Sequence, residues 1–459
     1  MFVPQRLNPS QESLCQFYVG KNIHDVPKPA LVLDQAKMRR HCQSLSAAAE
    51  ALGVGFRAHV KTHKTVEGTR LQVGDSNHVK LVVSTIAEIE HLLPLLAEYQ
   101  HQGRQVNVLY GIPLPQSQVS RLATVGQKLG AGSLSVLVDH ADQLRLLSRF
   151  HHEAGFPAGV YVKVDTGYHR AGLPPWGINK DGLLLQLVTL DIQSTANFIG
   201  LYSHSSLSYN DSTPAQAMAN LEGEITGCMD AVADNTQFFP KNRTFVISVG
   251  ASPQVSSVEN LVADGGELSP AAQSLRAAMK AVGDERPSGI QTSLELHAGV
   301  YSILDIQQLA TKSRVKLGTY EDEIAVSVVS EVCSVYNNGE RAQPEAFVSV
   351  GVLGLGREPC AAYKGWGVVD RSALSPETMA GRQLIVSRVS QEHSILAWEA
   401  DATGNGTMPL PLTVGQSIRI YPNHACITGA LYGWYLVVDS DMSGTETQIV
   451  DVWCRASGW

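Results

Sequence analysis

Between about residue 28 and about residue 305 the chain repeats one pattern: a short β-branched run, then a longer stretch with apolar residues at helical spacing. The runs are Val54–Val60, Val79–Ser84, Val106–Tyr110, Leu134–Asp139, Val160–Asp165, Phe198–His204, Thr244–Val249 and Leu294–His297. Ala87–Tyr99, Asp142–Gly155 and Thr213–Asn235 are clear helical intervals between them. Strand alternating with helix is the signature of βα units around a parallel sheet, and this number of runs is what a closed (β/α)8 barrel requires. Ala30–Asp34 reads as a leading strand and Gly283–Ser293 as a polar loop. After about residue 315 the pattern changes. Tyr320–Tyr336, Glu345–Leu353, Gln383–Ser390, Ser394–Glu399, Ser417–Tyr421 and Tyr435–Asp439 are short β runs between Gly, Pro and Asn turns. The expected organisation is therefore an α/β barrel domain over 28–315, followed by a smaller, mainly β domain made of 1–27 and 316–459.

A chain of 459 residues exceeds what one core usually holds, which agrees with two domains. The net charge of −8, with Lys and Arg spread along the chain, leaves no basic face for nucleic acid and no polybasic membrane patch. No apolar run is long enough to span a bilayer, and Met1-Phe2-Val3-Pro4-Gln5-Arg6 lacks the layout of a secretory signal. The expectation is a cytoplasmic protein acting on small molecules. Seven scattered cysteines without CxxC pairs argue against a disulfide framework.

Barrel enzymes place their chemistry at the C-terminal ends of the strands, so residues there are read together. The first run leads into Arg57-Ala58-His59-Val60-Lys61-Thr62-His63-Lys64. Burying that much positive charge costs several kcal/mol unless an anion or a covalent partner offsets it. A lysine crowded by other cations has its ammonium form disfavoured, the condition for an amine that forms a Schiff base, and Lys61 is the candidate. The competing reading is a surface strand end whose charges face water. Later strand ends carry Asp165-Thr166-Gly167-Tyr168-His169-Arg170 and the Tyr202-to-Tyr209 segment around His204. Gly250-Ala251-Ser252 and Gly299-Val300-Tyr301, after the last two runs, resemble phosphate cups in which small residues let backbone N–H groups approach an anion. A nucleophilic lysine with a phosphate cup suggests pyridoxal phosphate.

Near the C-terminus stands Tyr421-Pro422-Asn423-His424-Ala425-Cys426. A His-x-Cys pair in extended chain directs imidazole and thiolate to one face, where they can share a borderline-soft metal, zinc first. Two protein ligands fall short of a closed structural site and leave positions open for chemistry.

Taken together, the lysine block, the Asp165-Thr166-Gly167 turn, Tyr202 and Tyr209 around His204, Gly299-Val300-Tyr301, Ser390-Gln391-Glu392-His393 and the Pro422-Asn423-His424-x-Cys426 site resemble the eukaryotic-type D-serine dehydratases. These group with the D-threonine aldolases among alanine-racemase-like, fold type III pyridoxal phosphate enzymes. The resemblance implies a barrel with a C-terminal β domain, a homodimer, and zinc beside the cofactor. It implies Lys61 as the residue joined to pyridoxal phosphate. It sets His59, Arg170, Tyr202, Tyr209, Gly250, Ser252, Gly299, Val300 and Tyr301 around the cofactor, with His424 and Cys426 as metal ligands. Aldolases usually have aspartate where this chain has Cys426, which favours the dehydratase branch. Ala58 replaces a usual proline, Ser205, Ser206 and Leu207 replace a small-residue-and-histidine pattern, Val300 replaces a common asparagine, and against typical members of that family Asp181–Gln193 and Gly283–Ser293 stand as insertions.

The implied reaction is loss of water from a D-3-hydroxy amino acid, D-serine foremost, giving a 2-oxo acid and ammonia. In it Lys61 takes the Cα proton, the metal holds the hydroxyl and Tyr202 faces the cofactor's ring nitrogen. The competing enzyme reading is an aldolase giving glycine and an aldehyde. The non-enzymatic one is a pyridoxal phosphate carrier, a class without a second domain or a metal pair.

Overall fold

A computed structural model describes residues 9–241, 243–262, 267–286, 289–374, 382–399 and 408–459. The chain divides into two compact units. One comprises Cys42–Gly299 with Thr311–Val315 and the last two residues; the other comprises Met1–His41, Val300–Ala310 and Lys316–Ser457.

The first unit is a closed barrel of eight parallel strands. They are β2 Gly55–His59, β3 His78–Val83, β4 Gln105–Pro113, β5 Leu134–Val138, β6 Ala158–Lys163, β7 Ala196–Tyr202, β8 Thr244–Val249 and β9 Gln291–Ala298. Each expected barrel strand is present, because a strand covered by helices outside and side chains inside reads as an unbroken apolar run. Capping hydroxyls start the helices that follow: Thr65 accepts from the Gly68 N–H, Thr85 from Glu88 and Thr213 from Gln216. Leu183–Ile192, within the Asp181–Gln193 stretch, is the helix between β6 and β7.

Alternate residues of each strand fill the interior. Val82, Leu109, Leu137, Tyr161 and Tyr202 form an apolar cluster there. With it sits a charged plug. Arg57, only 1 % exposed, donates through Nε to Glu295 Oε1 at 2.7 Å, through Nη1 to Asn107 Oδ1 at 2.9 Å and through Nη2 to the Tyr161 hydroxyl at 3.2 Å. Lys80 Nζ reaches Glu295 Oε2 at 2.9 Å. Burial pushes the Glu295 carboxyl up, but Arg57 and Lys80 overcome it and hold the group down at about 2. Arg57, first read among the basic residues of the strand end, is thus a buried structural charge satisfied on every side.

The second unit is a nine-stranded sheet. Its strands are β1 Ala30–Asp34, β10 Val326–Tyr336, β11 Glu345–Val348, β12 Gly367–Val369, β13 Leu384–Val389, β14 Ser394–Trp398, β15 Ser417–Pro422, β16 Trp434–Val438 and β17 Asp451–Cys454. They run in the order β11-β14-β13-β12-β15-β10-β1-β16-β17, and β10 also pairs with β11, so the first six close into a ring. Leu14, Val32, Val329, Leu436 and Val452 anchor the core of its β1 side. The leading strand β1 lies here, between β10 and β16. Two β runs end differently from their reading: Tyr320–Glu323 is a helical turn before β10, and Val352–Leu355 is one after β11. The short β12 and β17 have too few residues to show alternation in sequence.

Candidate active site

Lys61 stands on a tight turn beyond β2, closed by a 2.8 Å hydrogen bond from the Lys64 N–H to the Val60 carbonyl. Its neighbours fix that turn. His63 is buried, its Nδ1 3.1 Å from Thr65 Oγ1 and its Nε2 2.9 Å from Gln72 Oε1. Lys64 pairs with the buried Glu88 carboxylate at 3.0 Å. The Lys61 N–H donates to His59 Nδ1 at 3.4 Å, and burial followed by the Lys61 charge holds His59 far below the ordinary imidazole range.

Three aromatic side chains meet: Tyr202 at the end of β7, His204 just after it and His297 of β9. Tyr202 stacks on His297, ring centroids 4.3 Å apart and planes within 5°, and His204 stacks at 5.6 Å from His297. Ser248 Oγ donates to Glu295 at 3.0 Å and lies 3.1 Å from His297 Nδ1. With its hydrogen directed at Glu295, that hydroxyl accepts from Nδ1–H, which leaves His297 Nε2 as the lone-pair nitrogen. His297 Nε2 and His204 Nδ1 are buried without a hydrogen-bond partner in the protein. Burial, opposed by Glu295 and reinforced by Lys163, keeps His297 neutral with its pKa at about 3. Burial first, then Lys61 and His297, lower His204 likewise. The charge of Lys61 thus bears on His59, His204 and His297 together.

Beside them glycines let the backbone segments after β8 and β9 pack closely against their neighbours. Gly250 has φ 143°, and a Cβ there would lie 2.4 Å from the His297 carbonyl oxygen. A Cβ on Gly299 would lie 2.8 Å from the His59 carbonyl oxygen, and the Gly299 N–H donates to Ser252 Oγ at 3.2 Å. Side-chain-free backbone at the ends of β8 and β9, two unpartnered imidazole nitrogens and a reachable lysine amine fit an anionic aromatic aldehyde such as pyridoxal phosphate. Tyr209 lies in the turn Leu207–Asn210 after β7. Arg170 is on an exposed loop with its guanidinium 5.2 Å from the Tyr168 ring, and its charge still acts on His204. Val300 and Tyr301 open a buried turn, Val300–Ser302, that belongs to the other unit.

Two groups outside the sequence reading hold this end of the barrel. Glu224, buried in the helix Pro214–Asp234, accepts from Ser203 Oγ at 2.8 Å, from the Ser205 N–H at 2.6 Å and from Gln254 Nε2. It ties the Tyr202–His204 segment to the short helix Ser252–Ser256. The second group is Lys163, at the end of β6.

In the sheet unit, β15 delivers Asn423, whose Nδ2 donates to the Glu358 and Gly365 carbonyls at 2.8 Å each. His424 is extended at φ −138°, but Cys426 lies in the helix Ala425–Ala430 rather than in extended chain. The turn still brings the two side chains into hydrogen-bond contact. Burial works against an imidazolium at His424, yet Cys426, Asp305 and Glu358 raise its pKa to about 9. Its Nδ1 is buried without a hydrogen-bond partner, 3.9 Å from Glu358 Oε2. An imidazole and a thiol suit a borderline-soft divalent metal, which would replace the proton they attract. Among the described residues no three His, Cys, Asp or Glu side chains converge as a metal cluster. The Ser390–His393 segment is an exposed turn between β13 and β14, where the His393 ring lies 5.1 Å from Phe347.

The description of an alanine racemase N-terminal domain matches residues 33–259, and that of a serine dehydratase domain matches 325–438. A D-serine dehydratase of Schizosaccharomyces pombe is 32 % identical over 99 % of the chain and 97 % of its own length. A solved structure of D-threo-3-hydroxyaspartate dehydratase, a cysteine-to-alanine mutant in the metal-free form, shares the fold with a TM-score of 0.70. It is 24 % identical, covering 96 % of this chain and all of its own. A D-threonine aldolase of an Arthrobacter species is 29 % identical over only 40 % of the chain and 45 % of its own length. Matching both domains and the full length of these dehydratases, the chain belongs to the eukaryotic-type D-serine dehydratase family of pyridoxal-phosphate-dependent, alanine-racemase-like lyases.

Proposed function

We propose that this enzyme removes water from D-serine, giving pyruvate and ammonia, with pyridoxal phosphate held by Lys61 and a zinc ion held by His424 and Cys426. The observation that carries the reading is that the charge of Lys61 acts on two buried imidazoles, His204 and His297, each with an unpartnered nitrogen, at one end of the barrel beside Gly250 and Gly299. Gly250, Ser252 and Gly299 would cradle the phosphate, with Val300 and Tyr301 beside them. His59, Tyr202, Tyr209 and Arg170 would complete the surroundings, Tyr202 facing the ring nitrogen. Bound there, the cofactor supplies an electron sink for the Cα carbanion. The Lys61 amine would act as the general base for the Cα proton. The stacked Tyr202 and neutral His297 would offer a bound cofactor ring no full charge, a setting that would favour β-elimination over racemisation. A zinc ion supplies Lewis acidity to the departing hydroxyl. His424 and Cys426 would leave it open positions, and the metal-free state of the cysteine mutant of D-threo-3-hydroxyaspartate dehydratase supports that pairing. The released aminoacrylate tautomerises and is hydrolysed to oxo acid and ammonia. A cytoplasmic homodimer completes the reading, and light scattering on the purified protein checks the assembly.

Product analysis tests it. D-serine, D-threonine and D-threo-3-hydroxyaspartate are each incubated with the enzyme, with and without chelator. Chelator-sensitive oxo acid and ammonia, fastest from D-serine, are expected. Glycine with an aldehyde would move the chain to the aldolase branch, and chelator-resistant oxo acid would remove the metal from the account.

A further inference from the structure

Lys163 ends β6 and pairs across the ladder with Tyr202 of β7. Tyr161, two residues earlier, belongs to the interior cluster, so by strand alternation Lys163 also points into the barrel, at its C-terminal end. It is 5 % exposed. Its Nζ lies 5.0 Å from the centre of the Tyr202 ring, and among the described residues no carboxylate forms an ion pair with it. The acids whose charges favour its ammonium are engaged elsewhere. Glu224 accepts from Ser203, Ser205 and Gln254, and Asp139 Oδ2 accepts from the Gly172 N–H at 3.0 Å. Arg170 opposes the charge, and burial, the largest influence, brings the amine down to about 8. A buried ammonium with donors to spare costs several kcal/mol unless an anion meets it. The charge of Lys163 acts on His204 and His297, as that of Lys61 does, which places the two lysines near the same imidazoles.

The geometry points to Lys163 as an anion-binding residue of the active site, receiving an oxyanion from the bound amino acid and cofactor: the substrate carboxylate or the cofactor's phenolic oxygen. The inference rests on the cofactor reading given above. Lys61 is the lysine that bonds; Lys163, held over Tyr202 by its strand, is the lysine that pairs.

Lys163→Met keeps length and apolar bulk without the charge, Lys163→Gln is a second neutral variant, and Lys163→Arg restores the charge. Cofactor uptake is read from absorption. The spectral shift then reports binding of D-alanine, which has no hydroxyl to lose, and of D-alaninamide, which has no carboxylate. If the anion is the carboxylate, both neutral variants weaken D-alanine by roughly 30-fold or more, leave D-alaninamide within about threefold, and the arginine variant recovers most of the loss. If it is the phenolic oxygen, the neutral variants move the absorption maximum and its pH titration before any amino acid is added, and weaken both ligands alike. Unchanged spectra together with unchanged D-alanine binding would overturn the inference while leaving the cofactor reading intact. A wild-type protein that takes up no pyridoxal phosphate would overturn that reading, and this inference with it.

Discussion

At the residue scale, the site depends on atoms that are missing as much as on those present. Gly250 has a positive φ, and its missing Cβ leaves room for the His297 carbonyl, so Gly250→Ala imposes both backbone strain and a clash. We expect the variant to fold with pyridoxal phosphate bound at least ~10-fold more weakly, measured by titrating apoprotein; unchanged affinity would remove the cradle from the account. Lys61, Ser252 and His424, proposed to hold cofactor and metal, stand out in sequence because reactive residue types stand in recognisable company. Lys163, Glu224 and Ser248 do not, although Val160–Asp165 was read correctly as a strand. What makes Lys163 notable is burial without a carboxylate, and a sequence shows neither inward direction nor the partners that another strand supplies. Counting by twos from Tyr161 would have turned Lys163 inward, but only once the barrel's inner face was known. Arg57 shows the converse: a conspicuous arginine in the basic block proves to be matched by Glu295, 238 residues away.

At the scale of elements, Glu224 is the joint between the helix Pro214–Asp234 and the two segments it holds. Burial, opposed by its three donors and Lys163, raises its carboxyl from 4.5 to about 7. The folded protein therefore favours the protonated acid. That stabilisation is fully present below the unfolded value of 4.5 and is lost as pH rises through about 7. Glu224→Gln cannot titrate. The difference in unfolding free energy between wild type and Glu224→Gln should shift by on the order of 3 kcal/mol against the wild type between acid and mildly alkaline pH. Urea unfolding at several pH values measures it, and a difference independent of pH would contradict the burial argument. The barrel strands could be read because covered parallel strands are continuous apolar runs. β12 and β17 could not, since three or four residues carry no periodicity. The His-x-Cys pair was found by its residue types, though its expected extended geometry gave way to a helix at Ala425.

For the whole molecule, the proposed chemistry draws on both units: Lys61, Gly250, Ser252 and Gly299 belong to the barrel unit, and Val300, Tyr301, His424 and Cys426 to the sheet unit. Cys426→Ala should lose bound metal, assayed by elemental analysis, and lose dehydration by at least ~100-fold, while keeping the absorption band of bound pyridoxal phosphate. Loss of the band as well would mean that the metal pair supports the cofactor site itself. The most direct test of the central claim, that Lys61 is the lysine bonded to the cofactor, is borohydride reduction of the holoenzyme followed by peptide mass mapping. The account predicts one labelled peptide, carrying the reduced pyridoxyl group on Lys61, and no label after Lys61→Ala. Label on Lys163, or an unlabelled barrel, would contradict it.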